Sequence, residues 1–73
     1  MNISELKVQL ERHGIKNFEY NFDGKGRTDE RVCLEEHDGK WEVYYEERGV
    51  KTTDHFFETQ EEACRFIYDW MIL

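Results

Sequence analysis

Residues 32–49 read VCLEEHDGKWEVYYEERG, and this stretch decides the fold. Asp38-Gly39 between two alternating runs is a hairpin signal, because both central residues of a type I′ turn take positive φ. With Asp38 and Gly39 as the loop, paired residue numbers sum to 77. His37 then faces Lys40, Glu35 faces Glu42, Leu34 faces Val43, Cys33 faces Tyr44, Val32 faces Tyr45 and Arg31 faces Glu46. Facing residues share a side of the sheet. One side therefore collects Val32, Leu34, Trp41, Val43 and Tyr45, a core face. The other collects Arg31, Cys33, Glu35, Glu42, Tyr44 and Glu46. That second face is acidic, carries a tyrosine and sets Glu35 against Glu42. Like charges directly opposite each other destabilise a sheet by roughly 0.2–1 kcal/mol, so this face breaks a folding rule that a binding role would explain.

Outward from the hairpin, Arg48-Gly49 turns the chain again and residues 51–57, KTTDHFF, suit a further strand. A tight turn continued from there pairs Lys51 with Glu46 and His55 with Glu42 on the outer face, and sends Phe56 to join Trp41 in the core. The same register aims Asp54 inward opposite Val43, which is unfavourable, so an irregularity or an edge position near Asp54 is expected to relieve it. Upstream, Phe18, Tyr20 and Phe22 alternate with Glu19 and Asn21 and predict a strand with one aromatic face. Residues 23–30, with Gly24 and Gly26, predict a mobile polar loop. The Gly-Lys-Gly-Arg run within it lacks phosphate-loop spacing and has no helix after it.

Both ends read as helices. Asn2 caps residues 3–13 with Glu5 as its capping-box partner; Ile3, Leu6 and Leu10 form the buried stripe, and Gly14 suits the helix end. Thr59 and Glu62 form a second capping box, followed by the stripe Ala63, Phe66, Ile67, Trp70 and Met71. The predicted fold is α+β in the order α-β-β-β-β-α. It is a single domain over residues 1–73, a four-stranded antiparallel meander with both terminal helices on one face. The acidic tyrosine face is expected to be open to solvent.

Composition narrows the function. The 73 residues carry a net charge of −7, the wrong sign for phosphate binding, so no nucleic-acid partner is expected. A basic protein partner fits. Residues 29–47 hold eight acids against two bases, a balance of −6, so the hairpin region carries nearly all of the excess. The helix–strands–helix order resembles the double-stranded RNA-binding domain, yet Thr59-Gln60-Glu61-Glu62 stands where that domain needs basic residues. Cys33 and Cys64 are expected as free thiols, with Cys64 a small core residue. Neither they nor His37 and His55 have zinc-finger spacing, so no metal and no cofactor are expected. The Glu35/Glu42 pair has the composition of a carboxylate dyad but is placed on a flat, open sheet, so no enzyme activity is expected. No apolar stretch approaches membrane-spanning length, which predicts a soluble cytoplasmic protein without a membrane partner.

Three segments, Gly39-Lys40-Trp41-Glu42-Val43-Tyr44-Tyr45, Glu47-Arg48-Gly49, and Phe57 followed by Glu61-Glu62-Ala63-Cys64, carry a resemblance over about residues 31–68. In them the chain resembles small bacterial immunity proteins that protect cells from polymorphic or contact-dependent growth inhibition toxins. The resemblance implies a stoichiometric inhibitor that binds a cognate toxin domain, often a nuclease, covering its active site or blocking it at a distance. It supplies no catalytic residues. The expected partner contacts, read from the hairpin itself, are Glu35, Asp38, Glu42, Tyr44 and Glu46, with Glu19 joining them. Reversing the charge of Glu42 and Glu46 is then expected to weaken binding with little effect on folding. One alternative is a small acidic regulatory or scaffold module that binds a basic host protein; another is a small-ligand or metal-binding domain.

Overall fold

A computed structural model describes residues 1–73. The elements are α1 (Ile3–Arg12), a 3-10 turn (Asn17–Glu19), β1 (Tyr20–Asn21), β2 (Arg31–His37), β3 (Lys40–Glu47), β4 (Val50–Phe57) and α2 (Gln60–Ile72). The fold is α+β, with sheet order β1-β2-β3-β4. The sheet is mixed and not wholly antiparallel as expected: β2, β3 and β4 form the antiparallel meander, while β1 runs parallel to β2.

The central hairpin has the register its turn dictates, from Arg31 opposite Glu46 to His37 opposite Lys40. Asp38 and Gly39 both take positive φ, 51° and 87°, as a type I′ turn requires. Arg48 and Gly49 repeat the device at 53° and 80°. Between β3 and β4 the register breaks. Val43 pairs with His55 but Tyr45 pairs with Thr52, so β4 carries one extra residue. Thr53 absorbs it at φ 51°, an uncommon conformation for a β-branched residue. This bulge is the irregularity expected near Asp54. It also reverses every side chain after it. His55 faces inward, with its ring 4.7 Å from that of Phe66, and Phe57 takes the place opposite Trp41 that the unbroken register gave to Phe56. Phe56 points outward opposite Glu42 and is 60% exposed.

Both helices share one core with the inner face of the sheet. Leu6 and Leu10 of α1 and Ala63, Cys64 and Ile67 of α2 pack with Val32, Leu34 and Val43. The capping box of Asn2 and Glu5 starts α1. The helix ends in a Schellman motif in which Ile15 N–H reaches the Leu10 carbonyl and Gly14 N–H that of Glu11, at 3.0 Å each. Thr59 caps α2 by accepting from Glu62 N–H at 3.1 Å. Its hydroxyl is also within hydrogen-bonding distance of the Glu62 carboxylate, in place of the second half of the expected box.

The segment before the hairpin departs furthest from its alternating pattern. The Glu19 carboxylate accepts from Lys16 N–H at 2.8 Å and winds residues 17–19 into a turn, leaving Phe18 62% exposed. Only Tyr20 and Asn21 join the sheet, opposite Val32 and Cys33. Because β1 and β2 are parallel, residues 22–30 must return the chain from the end of one to the start of the other. Phe22 packs into the helical core, and residues 23–30 then cross the outer face, since the helices fill the inner one.

Candidate functional site

The outer face consists of cross-strand rows. Arg31, Glu46 and Lys51 form one; Cys33 and Tyr44 lie beside the bulge; Glu35, Glu42 and Phe56 form the next; His37 and Lys40 close the hairpin end. The register thus brings Glu35, Glu42, Tyr44 and Glu46 to one side, as expected. It does not leave that side open. Tyr44 is 2% exposed, Glu42 4% and Cys33 fully buried.

Over Cys33, Glu35 and Glu46 the cover is the 23–30 loop, organised by Asn21. Its amide donates to the carbonyls of Lys25 and Arg27 at 2.7 and 2.8 Å and accepts from Gly24 N–H at 3.1 Å. A buried amide satisfied this way fixes a loop that the residue composition alone marks as mobile. Farther along, Thr28 donates to the Glu46 carboxylate at 3.0 Å and its carbonyl accepts from the Cys33 thiol at 3.6 Å. Asp29 receives Arg48 N–H at 2.7 Å. Asn21 had no signal of its own in the sequence, since an asparagine between aromatic residues reads as the exposed position of a strand.

Beneath this cover the polar groups are paired. Tyr44 donates its phenol to Glu35 Oε2 at 2.5 Å. Glu42 Oε2 accepts from Lys51 Nζ at 3.0 Å, and Glu42 Oε1 lies 2.9 Å from His37 Nε2. Lys51 also stands 4.3 Å from the centre of the Tyr44 ring, a cation–π contact. No buried side-chain nitrogen or oxygen is left without a partner. The repulsion expected between Glu35 and Glu42 is thus offset within the chain, by Tyr44 on one side and Lys51 and His37 on the other.

The titration of these groups follows from their setting. Burial would raise the Glu42 carboxyl, but hydrogen bonding from Lys51, Asp54 and His37 outweighs it and holds the group below its ordinary value. The same bond to Glu42 raises the Lys51 ammonium. Asp54, carried to this face by the bulge, is raised by burial and by the Glu42 carboxylate beside it. Burial and then Glu35 push the Tyr44 phenol far up, and burial takes the Cys33 thiol to about 11.

The six expected contact residues therefore divide. Asp38, at the hairpin tip, and Glu19, in the 3-10 turn, are exposed; Glu35 and Glu46 are half-buried; Glu42 and Tyr44 are inside. Nor do the exposed ones adjoin. Glu19 lies near the Arg31 end of β2 and Asp38 beyond its His37 end, about 20 Å apart at ~3.3 Å per residue. The correction to the open-face expectation is physical: a buried tyrosine, with its phenol on Glu35 and its ring under Lys51, offers no area to a partner. The exposed aromatic on this face is Phe56, which register continuity hid until the bulge was seen. No family model, curated protein or solved structure matches this chain. No helix is long and apolar enough to cross a membrane.

Proposed function

We propose that this chain is a cytoplasmic immunity protein that neutralises a basic toxin domain, of nuclease type, by stoichiometric binding and without catalysis. The observation that carries the reading is Phe56. A phenylalanine 60% exposed on the outer face, on the same side as the exposed Asp54, combines the two elements a basic surface recognises. The ring supplies apolar area and a face for a guanidinium. Exposed acids such as Asp54 and Asp38 supply attraction and steering, reinforced by a net charge of −7. A nuclease groove is basic by necessity, because it binds phosphates. The sequence resemblance to immunity proteins points to the same partner class.

The test is co-expression with the product of the adjacent gene, scored for growth rescue and co-purification. Wild type should rescue growth and co-purify in a one-to-one complex whose affinity falls as salt rises. Phe56→Ala, alone and combined with Asp38→Lys, should keep the thermal midpoint within a few degrees. Its affinity should drop at least tenfold, which corresponds to about 1.4 kcal/mol. Unchanged affinity in the double variant would remove this face from the interface.

A further inference from the structure

We infer that Glu35, His37 and Glu42 form a binding site for a divalent cation of the zinc class. The three donors come from one rigid hairpin. Glu35 and Glu42 are directly opposite each other, and His37 lies two residues beyond Glu35 on the same face. His37 Nε2 stands 2.9 Å from Glu42 Oε1 and 3.4 Å from Glu35 Oε1, and no donor of the set is more than 4.8 Å from another. Zinc bonds of about 2.0–2.2 Å at tetrahedral angles place neighbouring donors roughly 3.3–3.5 Å apart. The 3.4 Å spacing matches a coordination shell, while the 2.9 Å contact, now a hydrogen bond, and the wider spacing of up to 4.8 Å require side-chain adjustment for an ion to enter.

The arrangement around the donors supports the same reading. Groups outside the set hold each carboxylate, Glu35 Oε2 by the Tyr44 phenol and Glu42 by Lys51 at Oε2 and by Asp54. The remaining oxygen of each is directed toward His37. Fixing a ligand through its second oxygen is how outer partners orient a metal site. Lys51 holds the far oxygen and need not leave when an ion binds. An imidazole beside two carboxylates selects zinc, cobalt or nickel over calcium and magnesium, which take oxygen ligands. The site is reachable: Glu35 and His37 line a cleft of about 340 Å³ between residues 22–24 and β2, and the His37 side chain is half exposed. Three protein ligands leave a coordination position for water or an exogenous donor.

The experiment uses the full chain, stripped with chelator and titrated with ZnCl₂ by calorimetry, then with Co²⁺ by visible absorption. One saturable site per chain is expected, with cobalt d–d bands and no sulfur-to-cobalt band. His37→Ala changes a half-exposed side chain and leaves Glu42 its Lys51 partner, so it should fold; it should lose at least tenfold in affinity, as should Glu35→Gln. His13→Ala and His55→Ala should bind as wild type does. Absence of a saturable site, affinity retained in His37→Ala, or a thiolate band that places the ion at a cysteine would each overturn the inference.

Discussion

Tyr44→Ala is expected to destabilise the protein by about 3–5 kcal/mol, the range for removing a large aromatic side chain from a packed interior. For a domain of this size each kilocalorie moves the thermal midpoint by roughly 4–8 °C, so the loss should exceed 10 °C. The reason is local and specific. The ring is 2% exposed, with Lys51 over its face and its phenol on Glu35. Tyr44→Phe separates the parts. It keeps the ring and should cost about 1.5–3 kcal/mol, the range for a hydrogen bond to a charged group. Thermal melts of the two variants check both figures. An exposed interface tyrosine would give the opposite pattern, with a midpoint shift near zero and a large loss of partner affinity.

Glu42→Lys should also destabilise, by about 1–3 kcal/mol, because it replaces a buried carboxylate and leaves the part-exposed Lys51 facing a second ammonium. Glu42→Gln should cost less and reveal the charge through pH. The Glu42 carboxyl is held below its unfolded value. Its contribution is therefore fully present above the ordinary glutamate range and is lost as pH falls through the lowered folded value. Denaturant unfolding should show the gap between wild type and Glu42→Gln closing in acid. Asp54 runs the other way: its raised carboxyl contributes below the ordinary aspartate range and loses that contribution as pH rises. The wild-type profile is thus the resultant of two opposed neighbours. Charge reversal at Glu42 and Glu46 is consequently a folding experiment. It does not isolate binding, as an open acidic face would have allowed.

What could be read in advance divides along a physical line. Turns announce themselves through residues that tolerate positive φ, so Asp38-Gly39 fixed the hairpin and all seven of its pairs. Caps and helical stripes are equally local, and Asn2, Thr59, Leu6, Leu10 and Ile67 stand where their spacing put them. The bulge was half legible. Asp54 aimed at the core signalled an irregularity, but Thr53 is a poor advertisement for a left-handed residue, so its position and its effect on Phe56 and Phe57 were not visible. The closure of the outer face was not legible at all. It depends on β1 stopping after two residues and on Asn21 gathering a loop over side chains a dozen or more positions away, and neither leaves a periodic trace. A pattern of charge and tyrosine on one side of a hairpin shows which side the residues share. It does not show whether something lies on top of them.

That closure is the central structural claim, and the two cysteines test it most directly because they lie on opposite sides of the sheet, Cys33 outside and Cys64 in the helical core, both fully buried. The measurement is thiol titration of the native protein at pH 8 with an aromatic disulfide reagent, with the modified residue located by mass spectrometry. The expected result is that neither thiol reacts at the rate of a small free thiol while the protein is folded, and that both react at once in denaturant. One thiol reacting rapidly in the native state, and mapping to Cys33, would show that the outer face is open and contradict the account.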